Sequence, residues 1–113
     1  MATVVGPCYR RAVMTTARDR YLDQVKDIVL AHLRGRDVAV YLFGSHAAGT
    51  ARKYSDVDIA VDAKTPLPAS VWAGLSEALE DSTVPWHVDL VDLGQTDPEF
   101  RRRVIKEGLP WTA

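Results

Sequence analysis

The stretch YLFGSHAAGTARKYSDVDIAV, from Tyr41 to Val61, decides the fold. It joins a short apolar run to a Gly-Ser pair, and after a polar connection it enters a second apolar run that contains two aspartates. Carboxylates avoid buried strands unless something compensates their charge. Asp56 and Asp58 therefore need an explanation that packing alone does not provide.

Three runs rich in β-branched and aromatic residues predict strands. They are DVAVYLF over 37–43, DVDIAVD over 56–62 and WHVDLVDL over 86–93. The second run alternates most cleanly between apolar and polar residues, as a strand with one buried face does. Together the three runs predict a small sheet.

Helices are predicted between and around these strands. Apolar residues spaced three and four apart predict helices over 18–33 and 71–79. A last helix is expected to begin at a Thr96 or Asp97 cap and to end at Gly108. Its inward side chains are expected to be Phe100, Val104 and Ile105. The order of elements predicts an α/β (α+β) fold, a small mixed β-sheet with helices packed on one face.

The length of the chain fits one domain. Residues 1–14 show no sustained periodicity and contain the turn-forming pair Gly6-Pro7, so this segment is predicted to be flexible. The remaining residues, 15–113, are predicted to form the single domain.

Charge and composition limit the partners. Fourteen basic and 15 acidic residues give a formal net charge of -1, which argues against direct binding to nucleic acid, because that needs a clustered positive surface. The single cysteine, Cys8, excludes an internal disulfide. No apolar stretch approaches the roughly 20 residues that span a bilayer, and no secretory signal is evident. The expectation is a cytoplasmic protein without a membrane partner.

The two aspartates of the second strand share one face. Because side chains alternate along a strand, Val57, Ile59 and Val61 point one way, while Asp56 and Asp58 point the other. The Cα atoms of the two aspartates are then roughly 6.5–7 Å apart, and carboxylates that close repel each other. A divalent cation would remove the repulsion, and magnesium prefers such hard oxygen ligands.

The third strand offers a third carboxylate. In VDLVDL, Asp89 has the opposite parity to Val88 and Leu90, so it joins the face of the other aspartates if those two residues face the helices. Asp92 has the parity of Val88 and is expected to lie outside the strand or to cap a turn. The sequence therefore favours Asp89 as the third member of the cluster.

Gly44-Ser45 follows the first strand directly. Glycine allows a close approach of the backbone to a ligand, and amides at the start of a helix attract phosphate. The hydroxyl of Ser45 adds a further hydrogen-bond donor. Taken alone, His46 indicates no particular chemistry, and His87, which has the parity of Asp89, could line the rim of the site.

The combination resembles a known signature. Gly44-Ser45, ten residues, and then Asp56-Val-Asp58 is similar to the motif of the DNA-polymerase-β-like nucleotidyltransferase superfamily. From about Tyr21 to Gly108 the chain resembles the minimal nucleotidyltransferase family. The resemblance implies a polymerase-β-like nucleotidyltransferase fold and the transfer of AMP from ATP to a hydroxyl of a partner protein. It also implies an antitoxin whose partner is a HEPN-domain toxin.

The same resemblance implies roles for five residues. Two Mg²⁺ ions are expected on Asp56, Asp58 and Asp89, and the last also lies near the acceptor hydroxyl as its general base. Gly44 and Ser45 are expected to bind the β- and γ-phosphates of ATP.

One position departs from the family pattern. Many members have an arginine at the position of Ala48, and Arg52 or Lys53 could supply the positive charge instead. Two alternatives to the enzyme remain open: a non-catalytic antitoxin that neutralises its partner by binding, and a small-molecule nucleotidyltransferase that works with a separate helical subunit.

Overall fold

A computed structural model of the chain describes residues 17–49 and 56–112. The predicted flexible segment, 1–14, lies outside the described residues, and so do Arg52 and Lys53. The start of the domain near residue 15 therefore stays a prediction.

Four strands form one mixed sheet in the spatial order β3-β2-β1-β4. Their bounds are β1 Val38–Phe43, β2 Val57–Ala63, β3 Val88–Asp92 and β4 Leu109–Pro110. Strand β1 is antiparallel to β2 and to β4, whereas β2 is parallel to β3. The three predicted strands are present, and the mixed sheet is confirmed.

The helices follow the predicted spacing. They are α1 Ala17–His32, the short α2 Ser45–Ala48, α3 Ala69–Glu80 and α4 Pro98–Glu107, with a 3₁₀ turn at Leu93–Gln95. Asp97 caps α4, because its Oδ1 accepts a hydrogen bond of 2.8 Å from the amide of Phe100. Gly108 follows the last residue of α4, as the sequence predicts.

The main core lies between the sheet and helices α1 and α3. Its central strand, β2, contributes three fully buried side chains: Val57, Ile59 and Val61. Val25 and Val29 of α1 and Leu75 of α3 pack against them. These are the apolar stripes that the helical spacing predicts, so this layer follows directly from the pattern of the sequence.

A second, smaller core covers the opposite face of the sheet. Val104 of α4 and Leu93 of the 3₁₀ turn pack on Ala60, with Phe43 and Phe100 beside them. The expectation that the helices share one face is therefore wrong for α4. The reason is that β1 and β3 carry apolar residues on both faces. The apolar side chains on the face with the aspartates are buried by α4 and the 3₁₀ turn.

An ion pair joins α4 to the sheet on this second face. Nη2 of Arg101 donates to Oδ2 of Asp62 across 2.7 Å. Of the side chains predicted to point inward from α4, Val104 is buried, whereas Ile105 is 37% exposed. Successive residues of a helix point about 100° apart, so the two neighbours cannot both face the sheet.

None of the helices in the described ranges combines the length and the apolar composition that a membrane crossing requires.

Two of the isoleucines, Ile59 and Ile105, give a direct test of the main core. Ile59→Ala should lower the free energy of unfolding by about 2–5 kcal/mol, because it leaves a cavity at a fully buried position. Ile105→Ala, the same chemical change on the exposed side of α4, should cost less than about 1 kcal/mol. Urea unfolding of both variants measures the difference, and equal losses would contradict this assignment of core and surface.

Candidate active site

Gly44 connects β1 to the short helix α2 in a conformation that only glycine adopts readily. Its φ is 76° and its ψ is -155°. A Cβ atom at this position would collide with Oδ2 of Asp58. The backbone at Gly44 therefore lies directly against the carboxylate of Asp58.

Helix α2 begins beside that contact. The carbonyl of Gly44 accepts hydrogen bonds from the amides of Ala47 and Ala48, at 3.1 and 3.0 Å. Gly49, with a φ of 77°, ends the helix after one turn. Ser45 is the first residue of α2 and is half-buried, directly after the glycine that lies against the Asp58 carboxylate.

The register of the sheet places Asp58 and Asp89 side by side. They are partners in the parallel pairing of β2 with β3, so their side chains project from the same face. Asp56 precedes the first residue of β2 and is exposed. The predicted start of this strand at Asp56 is therefore one residue too early, and Asp56 lies at the entrance of β2 rather than within it.

Asp58 carries the electrostatic signature of the cluster. Burial raises the pKa of its carboxyl above the ordinary value, and the negative charges of Asp89 and Asp56 raise that pKa further. His46 acts in the opposite direction and lowers it. The repulsion inferred from the sequence thus acts on Asp58 from both other carboxylates.

The donor atoms of this cluster are carboxylate oxygens, which magnesium prefers. Within the described ranges, no three acidic or histidine side chains converge as a ready-made metal centre. The Asp89 carboxylate bonds instead to His87, whose Nε2 lies 2.8 Å from Oδ1. His87 therefore lines the rim of the site, in the position that its strand parity allows.

Asp92 has a different place. Its Oδ1 accepts a hydrogen bond of 2.9 Å from the amide of Gly94, so it caps the 3₁₀ turn that follows β3. This is the capping role that the sequence predicts for it.

His46 belongs to the site although the sequence analysis assigned it no role. The residue is 4% exposed, and its ring lies 4.9 Å from the ring of Trp86. Its position in the sequence, directly after Ser45, was the one hint that His46 lies near the site. Its burial beside Trp86 cannot be predicted from the sequence, because the two residues meet only in the folded structure.

A cavity of about 330 Å³ adjoins Gly44 on the side away from β3. Its walls come from the end of β1, from α2 and from α4, and they include Phe43, Phe100 and Val104. Ala48, the position at which many members of the resembled family have arginine, also lines this cavity. Arg103 of α4 lines the same space and brings a positive charge to it.

Comparisons with known proteins agree on one family. Residues 24–110 match the family model described as "Polymerase beta, Nucleotidyltransferase". A curated relative from Haemophilus influenzae, named "Probable protein adenylyltransferase MntA", is 41% identical over 70 residues. A second, "Protein adenylyltransferase MntA" from Shewanella oneidensis, is 38% identical over 69 residues. The matches cover 62% and 61% of this chain, and only 61% and 49% of the length of the two relatives.

Solved structures extend the likeness. A structure described as a minimal nucleotidyltransferase superposes with a TM-score of 0.66 at 30% identity, over 80% of this chain and 93% of that one. A chain of a toxin–antitoxin complex with AMP-PNP gives a TM-score of 0.62 at 31% identity, over 78% and 73%. A complex of a tri-AMPylated HEPN toxin with its MNT antitoxin, from Shewanella oneidensis, gives 0.60 at 25% identity, over 82% and 70%.

The raised pKa of Asp58 predicts a pH-dependent stability. The folded state holds a proton on Asp58 more firmly than the unfolded state, so ionisation of this group opposes folding at neutral pH. Without divalent cations, Asp58→Asn should therefore melt at a higher temperature than the parent protein at pH 7. The gain should shrink as the pH falls through the raised pKa towards the ordinary value of 3.8.

Thermal melts between pH 7 and pH 4 in a chelator measure this effect. Asp23→Asn, the same change on the exposed side of α1, should show no such trend. A gain for Asp58→Asn that does not vary with pH would contradict the electrostatic cause.

Proposed function

The chain belongs to the minimal nucleotidyltransferases of the polymerase-β nucleotidyltransferase family, and on that premise we propose that it is a metal-dependent protein adenylyltransferase. It moves AMP from ATP to a hydroxyl of a HEPN-domain toxin and acts as the antitoxin of the pair. The observation that carries this proposal is the meeting of Asp58 and Asp89 on paired strands, with Gly44 against the Asp58 carboxylate.

The carboxylate oxygens are the kind of donor atoms that a divalent cation such as magnesium prefers. The negative charges of Asp56 and Asp89 disfavour the ionised form of Asp58. A cation bound among the three carboxylates would offset this repulsion by attracting all three charges. We assign Mg²⁺ to these three residues, with two ions as the number that the chemistry requires. Bound metal would neutralise the charge on the phosphates and on the attacking and leaving oxygens.

The remaining residues position the reactants. Gly44 and Ser45 hold the β- and γ-phosphates, Gly44 through its backbone and Ser45 through its hydroxyl. The acceptor oxygen attacks the α-phosphorus, a new P–O bond forms, and the bond to the β-phosphate breaks with release of pyrophosphate. Asp89 takes the proton of the acceptor hydroxyl. Most of the rate enhancement then comes from position and charge.

Two of the solved relatives support the choice of substrates. One was obtained with AMP-PNP, an analogue of ATP, and another contains an AMPylated HEPN toxin beside its MNT antitoxin. The AMPylated toxin of that relative favours an acceptor on another protein over an antibiotic-like molecule.

A purely binding antitoxin is the main alternative. Binding alone gives no reason to keep two further carboxylates, Asp56 and Asp89, beside the partly buried Asp58, because their charges oppose its ionisation in the folded state. Transfer to the toxin distinguishes the two functions.

Metal dependence is the first test of this proposal. The protein, ATP and its HEPN toxin should give a toxin whose mass has increased by one or more AMP units, but only when magnesium or manganese is present. Intact-mass spectrometry measures the product. Asp58→Asn should abolish the mass increase at the same metal concentration, and undiminished transfer in excess chelator would contradict the mechanism.

A matched pair of variants tests the third carboxylate. Asp89→Asn should lower the initial rate of AMP transfer by roughly a hundredfold or more, the scale of a lost general base. Asp92→Asn, whose amide oxygen can still accept the hydrogen bond from Gly94, should change both the rate and the stability little. An active Asp89→Asn together with a dead Asp92→Asn would refute the assignment.

A further inference from the structure

We propose that His87 is a positioning residue of the carboxylate cluster. Its Nε2–H holds Oδ1 of Asp89, so that the other oxygen of this carboxylate, Oδ2, is the one available to a divalent cation. The inference rests on the proposed function, because it concerns the metal site assigned there to Asp56, Asp58 and Asp89.

The backbone of His87 is fixed at the start of β3. Its carbonyl accepts a hydrogen bond of 2.9 Å from the amide of Val57, the first residue of β2. The next residue, Val88, is the register partner of Val57 in the parallel pairing. One step earlier on each strand, His87 therefore stands beside Asp56. The bond to the neighbouring strand holds the backbone of His87 in place, although its side chain is 64% exposed.

Four side chains of the two strands share one face in a two-by-two arrangement. Asp58 and Asp89 are register partners. Because side chains alternate along a strand, Asp56 and His87, two positions earlier, project on the same side. Among these four, His87 is the one that has an N–H to donate, since ionised carboxylates only accept hydrogen bonds.

The hydrogen bond between His87 and Asp89 has one possible direction. The distance of 2.8 Å between Nε2 and Oδ1 is typical of a hydrogen bond to a charged oxygen. An ionised carboxylate has no hydrogen to give, so Nε2 is the donor. Among the described residues, His87 is the one hydrogen-bond partner of the Asp89 side chain. Oδ1 is therefore engaged, and Oδ2 is left for a further ligand.

This hydrogen bond matters because burial does not fix the Asp89 side chain, which is 48% exposed. Ordering a mobile side chain when a ligand binds costs free energy, and a hydrogen bond formed beforehand reduces that cost. Hydrogen-bond partners of metal ligands typically account for roughly 10- to 100-fold in metal affinity or activity. His87 should therefore favour metal binding before a nucleotide or an acceptor arrives.

Two replacements of His87 separate the hydrogen bond from the size of the side chain. His87→Gln keeps an N–H at a similar reach from the backbone, whereas His87→Leu fills similar space and donates nothing. His87→Leu should weaken the binding of Mn²⁺ by about tenfold or more, and His87→Gln should retain most of the affinity. His32→Leu, the same change at an exposed histidine of α1 that bonds to the carbonyl of Ile28, should bind Mn²⁺ as the wild type does.

Titration of the full chain with Mn²⁺, without ATP and without toxin, measures these affinities. The electron paramagnetic resonance signal of free Mn²⁺ gives the bound fraction at each step. Thermal melts of the same samples check the fold, and the variants should melt with the wild type because both histidines are exposed.

The Asp89→Asn background tests whether His87 acts through Asp89. There His87→Leu should cause little further loss of Mn²⁺ affinity, because the carboxylate that it positions is already gone. In transfer assays with the toxin, excess manganese should restore most of the rate of His87→Leu. It should not restore the rate of Asp89→Asn, which lacks the carboxylate itself.

Other results would overturn the inference in distinguishable ways. If His87→Leu binds Mn²⁺ as tightly as the wild type, the inference is wrong and the proposed function stands. Equal losses in the wild-type and Asp89→Asn backgrounds would show that His87 acts independently of Asp89, which also refutes its positioning role. A wild type that transfers AMP with magnesium but binds no Mn²⁺ without nucleotide would refute the inference alone. Neither Mn²⁺ binding nor metal-dependent transfer would refute the inference and the proposed function together.

Discussion

The contact between the Gly44 backbone and the Asp58 carboxylate is the constraint around which the site is arranged. The antiparallel pairing of β1 with β2 sets Phe43 opposite Asp58, so the chain must leave β1 directly beside a charged side chain. Only a residue without a Cβ passes there. After Gly44, the single turn of α2 contains Ser45 and His46. The cavity lies between this turn and α4.

The two faces of strand β2 differ: one lies in the main core, and the other carries Asp58 of the candidate site. On one face it is apolar throughout and forms the centre of the main core. On the other face Ala60 and Asp62 are covered by α4, whereas Asp58 stands at the open end beside Asp89. The ion pair between Arg101 and Asp62 and the packing of Val104 hold α4 at the covered end. The candidate site is therefore at the end of the sheet that α4 leaves uncovered.

Much of this arrangement follows from periodicity in the sequence. The alternation in DVDIAVD and the helical stripes predict β2, α1, α3 and the placement of the carboxylates on one face. Residue type predicts a helix cap at Thr96 or Asp97, and the structure has it at Asp97. The placement of α4 does not follow, because its few apolar residues are compatible with either face of the sheet. His46 was missed for a similar reason: a buried histidine beside Trp86 depends on a contact 40 positions away along the chain, which no local spacing reveals.

Strand β4 determines which edge of the sheet is left open. It pairs with β1, and the amide of Trp111 donates a 2.7 Å bond to the carbonyl of Val40, so the outer edge of β1 is closed. The edge of β3 stays open among the described strands. Open edges recruit other chains, and charged residues on them oppose such pairing. Asp89 and Asp92 both lie on this short strand, so their carboxylates place negative charge on the open edge, where charge opposes pairing with a strand of another chain.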